Sequence, residues 1–134
     1  MGLVIDTSVF VDAERKGIRV QEIIARLIER GPLTISAMSL IELAHGIARA
    51  NSQAIRAERE RFVRAVQASF PVIPLNGETA IATGLLDGDL RGRGFTIGVA
   101  DAAIAATALL SSYGVATLNG KHFKLVAGLN VLEL

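Results

Sequence analysis

The 134-residue chain has no cysteine and no tryptophan, one tyrosine, five phenylalanines and three prolines. Without thiols it forms neither disulfides nor thiolate–zinc sites. That excludes a secreted, disulfide-stapled mini-protein and a cysteine-ligated zinc module. At 4% aromatic content it lacks the material for an aromatic base-stacking platform. Charge of one sign is lacking too. Fourteen Lys and Arg against 13 Asp and Glu leave +1, which excludes a polybasic tail or a highly cationic groove. No apolar run reaches the ~20 residues of a membrane-spanning helix. The most apolar stretch, Ile97 to Leu110, is shorter and carries Asp101. The run Gly2 to Ile5 has no basic region before it and is interrupted by Asp6, unlike a signal peptide. A cytoplasmic location with no membrane partner is therefore expected. What is present is a chain 51% hydrophobic, enough for the core of one domain of ordinary size.

The apolar spacing predicts alternating strands and helices. Leu3-Val4-Ile5 reads as a strand ending at Asp6, with a helix following from Thr7 through Glu14. Val20, Ile23, Ile24, Leu27 and Ile28 share one face of a helix over Val20 to Arg30, stopped by Gly31-Pro32. Leu33-Thr34-Ile35 is a second strand, and Ser36 or Ser39 can cap the helix bearing Leu40, Ile41, Leu43 and Ile47. A charged helix covers Gln53 to Ser69, and Val72-Ile73 is a third strand after Pro71. A helix from about Glu78 to Leu90 leads into a glycine-rich connection, Arg91 to Gly98. Val99 to Tyr113 is nearly all apolar, so it is expected to be buried, with Gly114 capping it. Val115 to Leu118 and Asn130 to Leu134 complete five strands. The alternation predicts an α/β fold, with a mostly parallel sheet covered by helices on both sides.

In open parallel sheets, ligands bind beyond the carboxyl ends of the strands. Asp6 ends the first strand. The second strand leads into the helix bearing Glu42. Asp101 opens the apolar helix before the fourth strand, whose end holds Thr117 and Asn119. Each acid has a structural reading. Asp6 suits a helix N-cap. Glu42 follows Ser39 at capping-box spacing. Asp101 suits the positive end of a helix dipole. Taken together they favour another reading. Asp6 follows an apolar strand, and Asp101 sits among Ile97, Val99, Ala102, Ala103 and Ile104, with no Lys or Arg local to either. Unpaired carboxylates are costly in such surroundings, and a shared cation would relieve both. Oxygen-only ligands suit Mg²⁺ or Mn²⁺. His45 and His122 lack zinc-ligand spacing. His45 reads as structural, and His122 as a residue near the site.

Four blocks carry a family resemblance: Val4-Ile5-Asp6-Thr7-Ser8-Val9, Ser39-Leu40-Ile41-Glu42-Leu43 with Gly46, Gly98-Val99-Ala100-Asp101 with Ile104 to Ala108, and Thr117-Leu118-Asn119-Gly120-Lys121-His122-Phe123. In this order they resemble a PIN domain, in particular the small VapC-like ribonuclease toxins of type II toxin–antitoxin pairs. The resemblance implies a single three-layer α/β/α PIN-like domain over residues 1–134. It implies metal-dependent endonucleolytic cleavage of RNA, a homodimer, and neutralisation by a small cognate antitoxin. Asp6, Glu42 and Asp101 match the first three acidic positions. Asp6 and Asp101 would be the main Mg²⁺ ligands. Glu42 would be a third ligand, or would orient the attacking water or act as base. Thr7 or Ser8 matches a hydroxyl position beside the first acid. At the fourth acidic position this chain departs, offering neutral Asn119 and His122. One well-held ion is therefore expected, with a second recruited alongside substrate phosphate. Asn119 would hydrogen-bond a water or a phosphate oxygen.

Thr7, Ser8, Thr117, Arg91, Arg93 and Lys121 are the expected substrate contacts, with Lys124 beside them; Arg91, Arg93, Lys121 and Lys124 read equally well as solvated surface charge. The Arg56–Arg64 stretch alternates with Glu58 and Glu60 and reads as a solvated helix. The competing reading is a catalytically weak PIN module that binds RNA or a protein partner without cleavage. A phosphotransferase using Asp6 as nucleophile is disfavoured, because no second Asp follows two residues on.

Overall fold

A computed structural model describes residues 1–134. Its centre is a five-stranded sheet in the order β3-β2-β1-β4-β5, comprising β1 (Leu3–Ile5), β2 (Leu33–Ser36), β3 (Val72–Ile73), β4 (Gly114–Thr117) and β5 (Val131–Glu133). Every pairing is parallel, with Leu3 opposite both Leu33 and Gly114. The sheet expected to be mostly parallel is thus wholly so. Six helices cover it: α1 (Thr7–Lys16), α2 (Val20–Leu27), α3 (Ala37–Ala48), α4 (Gln53–Ser69), α5 (Gly77–Gly92) and α6 (Val99–Leu110).

Side chains alternate across a strand, so β1 feeds two cores at once. Leu3 and Ile5 join Phe10, Ile23, Leu43 and Val66 on one face, while Val4 joins Leu90, Ile104, Ala105 and Val115 on the other. The result is three layers, with α1, α2 and α4 on one side of the sheet and α5 and α6 on the other. Phe10 is fully buried and meets Phe70 edge-on at 5.6 Å, tying α1 to the end of α4. No helix is long and apolar enough to cross a membrane.

Several boundaries differ from expectation for local reasons. The helix from Val20 ends at Leu27 and tightens into a 3₁₀ turn over Ile28–Arg30. Gly31 follows at φ +125°, and a Cβ there would overlap the Met1 carbonyl. Ser36 caps α3 by accepting from Met38 N–H at 3.1 Å, whereas Ser39 lies buried inside the helix. Arg91 and Gly92 belong to α5, and α6 stops at Leu110. Gly114 is no cap; it opens β4, where a Cβ would stand 2.9 Å from the Asn130 carbonyl.

Strands β2 and β3 lie on one side of β1, and β4 and β5 on the other. The direction of winding therefore switches between β1 and β4. Such a switch opens a crevice at the carboxyl ends of the two strands, where sheets of this kind hold ligands.

Candidate active site

Asp6 leaves β1 at this crevice. It occupies the N-cap position of α1, but its side chain makes no capping bond. Both hydrogen bonds to the carboxylate fall on Oδ2, from Ser8 Oγ at 2.6 Å and Thr117 Oγ1 at 2.8 Å. The two hydroxyls accept in turn, Ser8 from Leu118 N–H at 3.1 Å and Thr117 from Asn119 N–H at 2.9 Å. Each hydroxyl has one proton, and an ionised carboxylate only accepts, so both protons go to Asp6. The loop after β4 is thereby clasped to the end of β1. Thr117 is fully buried and presents nothing to a substrate. Thr117 and Ser8, expected as substrate contacts, here aim Asp6.

Glu42 lies on α3 and is half-buried. Its Oε1 is 2.7 Å from Thr7 Oγ1, and Thr7 lies 2.9 Å from Ser39 Oγ. The single Thr7 proton goes to the carboxylate, leaving Ser39 to donate to Thr7. No capping box forms. Burial pushes the Glu42 pKa up; the Thr7 bond opposes this, and the charges of Asp6 and Asp101 add to the rise.

Asp101 sits in the first turn of α6, as the dipole argument expects. Gly98 starts that turn at φ +89°, a conformation that costs a side chain dear. His122 Nδ1 stands 2.7 Å from Asp101 Oδ2. Burial raises the Asp101 pKa, the His122 hydrogen bond lowers it, and the charge of Asp6 raises it again.

The three acids open onto one cavity of about 340 Å³, lined also by Thr7, Ser8, Val11, Asp12, Arg15 and Asn119. Each acid is gripped through one oxygen and leaves the other without a protein partner. None of the three is ion-paired to a Lys or Arg. As the side chains stand, no three Asp, Glu or His groups enclose a single ion. The oxygens free to hold one are Oδ1 of Asp6 and Oδ1 of Asp101, with Glu42 Oε2 beside them.

The expected RNA contacts Arg91, Arg93 and Lys121 do not line this cavity. Arg91 on α5 and Arg93 at its C-cap pair with Asp87 and Asp89 of that helix, at 3.0 and 3.3 Å. The basic residue of the cavity is Arg15, which sequence reasoning missed. A signal existed: Ser8, Val11, Asp12 and Arg15 fall at i, i+3, i+4 and i+7, one face of α1.

Glu133 on β5 holds the loop carrying Asn119 and His122. It accepts from Gly120 N–H at 3.1 Å and from Lys124 Nζ at 2.7 Å. The Lys124 hydrogen bond, the Gly120 N–H and the Lys124 charge, in that order, lower its pKa below the ordinary 4.5. A carboxylate with a lowered folded-state pKa stabilises above its unfolded value and loses that contribution as pH falls through the folded one. Glu133→Gln is therefore expected to melt slightly below the parent near neutrality, with the gap closing in acid below pH 4.5. Melting curves across pH check this, and a gap of constant size would refute it.

Fold and cavity together define an α/β/α domain with an acidic centre at the topological switch of its sheet. The PIN domain family matches residues 3–129. The chain is 35% identical to Ribonuclease VapC1 of Rickettsia felis over 100% of its own length and 97% of that protein's. It is 33% identical to Ribonuclease VapC of Rickettsia bellii, again over 100% and 97%. It also superposes on a chain of the crystal structure of VapBC2 from Rickettsia felis bound to a promoter DNA fragment. There the TM-score is 0.85 and the identity 21%, covering 100% of this chain and 99% of that one. The chain belongs to the VapC branch of the PIN domain family.

Proposed function

We propose that the protein is a Mg²⁺-dependent endoribonuclease and the toxin of a toxin–antitoxin pair, held inactive by a small cognate antitoxin. One observation carries the reading: Asp6, Glu42 and Asp101 share one cavity, each oriented through one oxygen and open at the other, with no Lys or Arg paired to any of them. Relatives that match the chain from end to end bear the name ribonuclease. Mg²⁺, or Mn²⁺ in its place, fits this donor set because it binds through one or two carboxylates and keeps several waters. It does not need the three-sided enclosure that the cavity lacks.

Asp6 and Asp101 would hold the ion. When bound, it polarises a phosphoryl oxygen and lowers the pKa of water. Glu42 takes a proton from the attacking water at Oε2, its pKa raised toward the working range by burial. Thr7 keeps Glu42 aimed while it does so. Asn119 donates to a phosphate oxygen at the cavity rim. His122 spends Oδ2 of Asp101 and adds no negative charge, which favours one resident ion over two. The site of action under this reading is the cytoplasm. A homodimer belongs to it too. Ile81 and Leu85, one turn apart on α5 and 68% and 70% exposed, offer the second copy an apolar patch.

The neutral Asn119 and His122 at the fourth acidic position favour a second reading, a module that binds RNA or a protein partner without cutting RNA. Cleavage of RNA in Mg²⁺, abolished by EDTA and restored by Mg²⁺, supports the enzyme; binding without cleavage supports the module. Mg²⁺ at ten times its dissociation constant is expected to stabilise the fold by about 1.4 kcal/mol. Asp6→Asn is expected to remove most of that gain, which melting curves measure without any substrate.

A further inference from the structure

A second cavity of about 330 Å³ lies between α1, α3 and α4. It shares Val11, Arg15 and Glu42 with the carboxylate cavity, so the two adjoin along these side chains. Leu43 and Phe62 give it an apolar wall, while Arg49 and Arg59 bring positive charge. Arg59 is already spent: it donates to the Gly46 carbonyl at 2.7 Å and pairs with Glu14 at 3.3 Å. That pair also cancels the Glu14 charge inside the cavity. Arg15 and Arg49 are different. Both are exposed, and neither has a carboxylate within ion-pair distance; Arg26, Arg30, Arg61 and Arg64 are unpaired too, but they line neither cavity. An unpaired guanidinium at the mouth of an acidic cavity suits a phosphodiester, which it can grip through two parallel N–H bonds.

We infer that the RNA strand passes from the carboxylate cavity over Arg15 into this second cavity, with successive backbone phosphates on Arg15 and Arg49. The inference rests on the ribonuclease reading and names where its substrate lies. A base entering the second cavity lies against Leu43 and Phe62. The charge that steers RNA thus sits on the α1 side of the sheet, away from Arg91 and Arg93.

The test is cleavage of a single-stranded RNA oligonucleotide in Mg²⁺, with kcat/KM measured across a range of salt. Arg15→Gln and Arg49→Gln are compared with the parent, and Arg56→Gln serves as control, because Arg56 pairs with Glu60 outside both cavities. Each cavity variant is expected to flatten the slope of log kcat/KM against log salt by about 0.7, the contribution of one single-strand phosphate contact. Arg49→Gln is expected to act through KM with kcat near the parental value. A merely structural role leaves the salt slope unmoved. Parental slopes and rates in both variants overturn the inference and hand the cavity to a protein partner. A parent that cuts no RNA overturns the ribonuclease reading and takes this inference with it.

Discussion

Asp6→Asn and Asp101→Asn are each expected to lower RNA cleavage by about 100–1,000-fold while leaving the protein folded. Asparagine has the shape of aspartate but only one accepting oxygen. At position 6 that oxygen is claimed by the two hydroxyl donors, Ser8 and Thr117. At position 101 it is claimed by His122. In both cases the amide –NH₂ is left facing the cavity, where the open carboxylate oxygen stood. A donor in that place repels a cation and a hydrolytic water's proton alike. The expected loss corresponds to several kcal/mol of charge stabilisation at the phosphate, at about 1.36 kcal/mol per tenfold. The hydrogen-bonded frame survives, so in EDTA neither variant is expected to melt far below the parent. Single-turnover cleavage of RNA by each purified variant decides the matter; full activity in either would sink the assignment.

The frame around these acids shows what a sequence can and cannot disclose. Leu3-Val4-Ile5 was legible as a buried strand, and Asp6 at its end as a site residue only in company with Glu42 and Asp101, since alone it also suits a helix N-cap. Asp101 was legible in the same company, as one charge in a run of alanines and aliphatics. The clasp on Asp6 was not, because Thr117 lies 111 residues away and its hydroxyl acts only through the register of β1 against β4. The choice between Ser36 and Ser39 as cap also hung on tertiary structure. Ser39 was claimed by Thr7, whose proton goes to Glu42. Arg15 could have been found from the helical spacing of α1. A basic residue near a helix C-terminus is also what the dipole favours, so its type alone does not point to a site. Arg91 and Arg93 drew attention through their glycine-rich surroundings, yet each had an acid four residues before it on α5.

Glu42→Gln is expected to separate activity from stability, moving the two in opposite directions. Glutamine keeps an oxygen to accept from Thr7, so the local geometry holds. It removes the proton acceptor at Oε2, and cleavage is expected to fall about 100-fold, the scale of general-base catalysis. Stability in EDTA is expected to rise. Burial, with the nearby charges of Asp6 and Asp101, raises the Glu42 pKa in the folded state. A carboxyl group with a raised folded pKa stabilises below its unfolded value of 4.5, and that contribution is lost as pH rises through the folded value. At neutral pH the ionised group is therefore a burden, and the amide lifts it. The half-exposed position, screened by solvent, keeps the gain small. In acid, where the parent's carboxyl is already protonated, the two proteins are expected to melt together. Mg²⁺ is expected to narrow or reverse the neutral-pH gap, because the cation offsets in the parent the same repulsion that the amide removes in the variant. Melting curves at neutral and acid pH, with and without Mg²⁺, read all of this. A variant less stable than the parent at neutral pH in EDTA would show that Glu42 is held by its partners and is not a strained member of an acidic cluster.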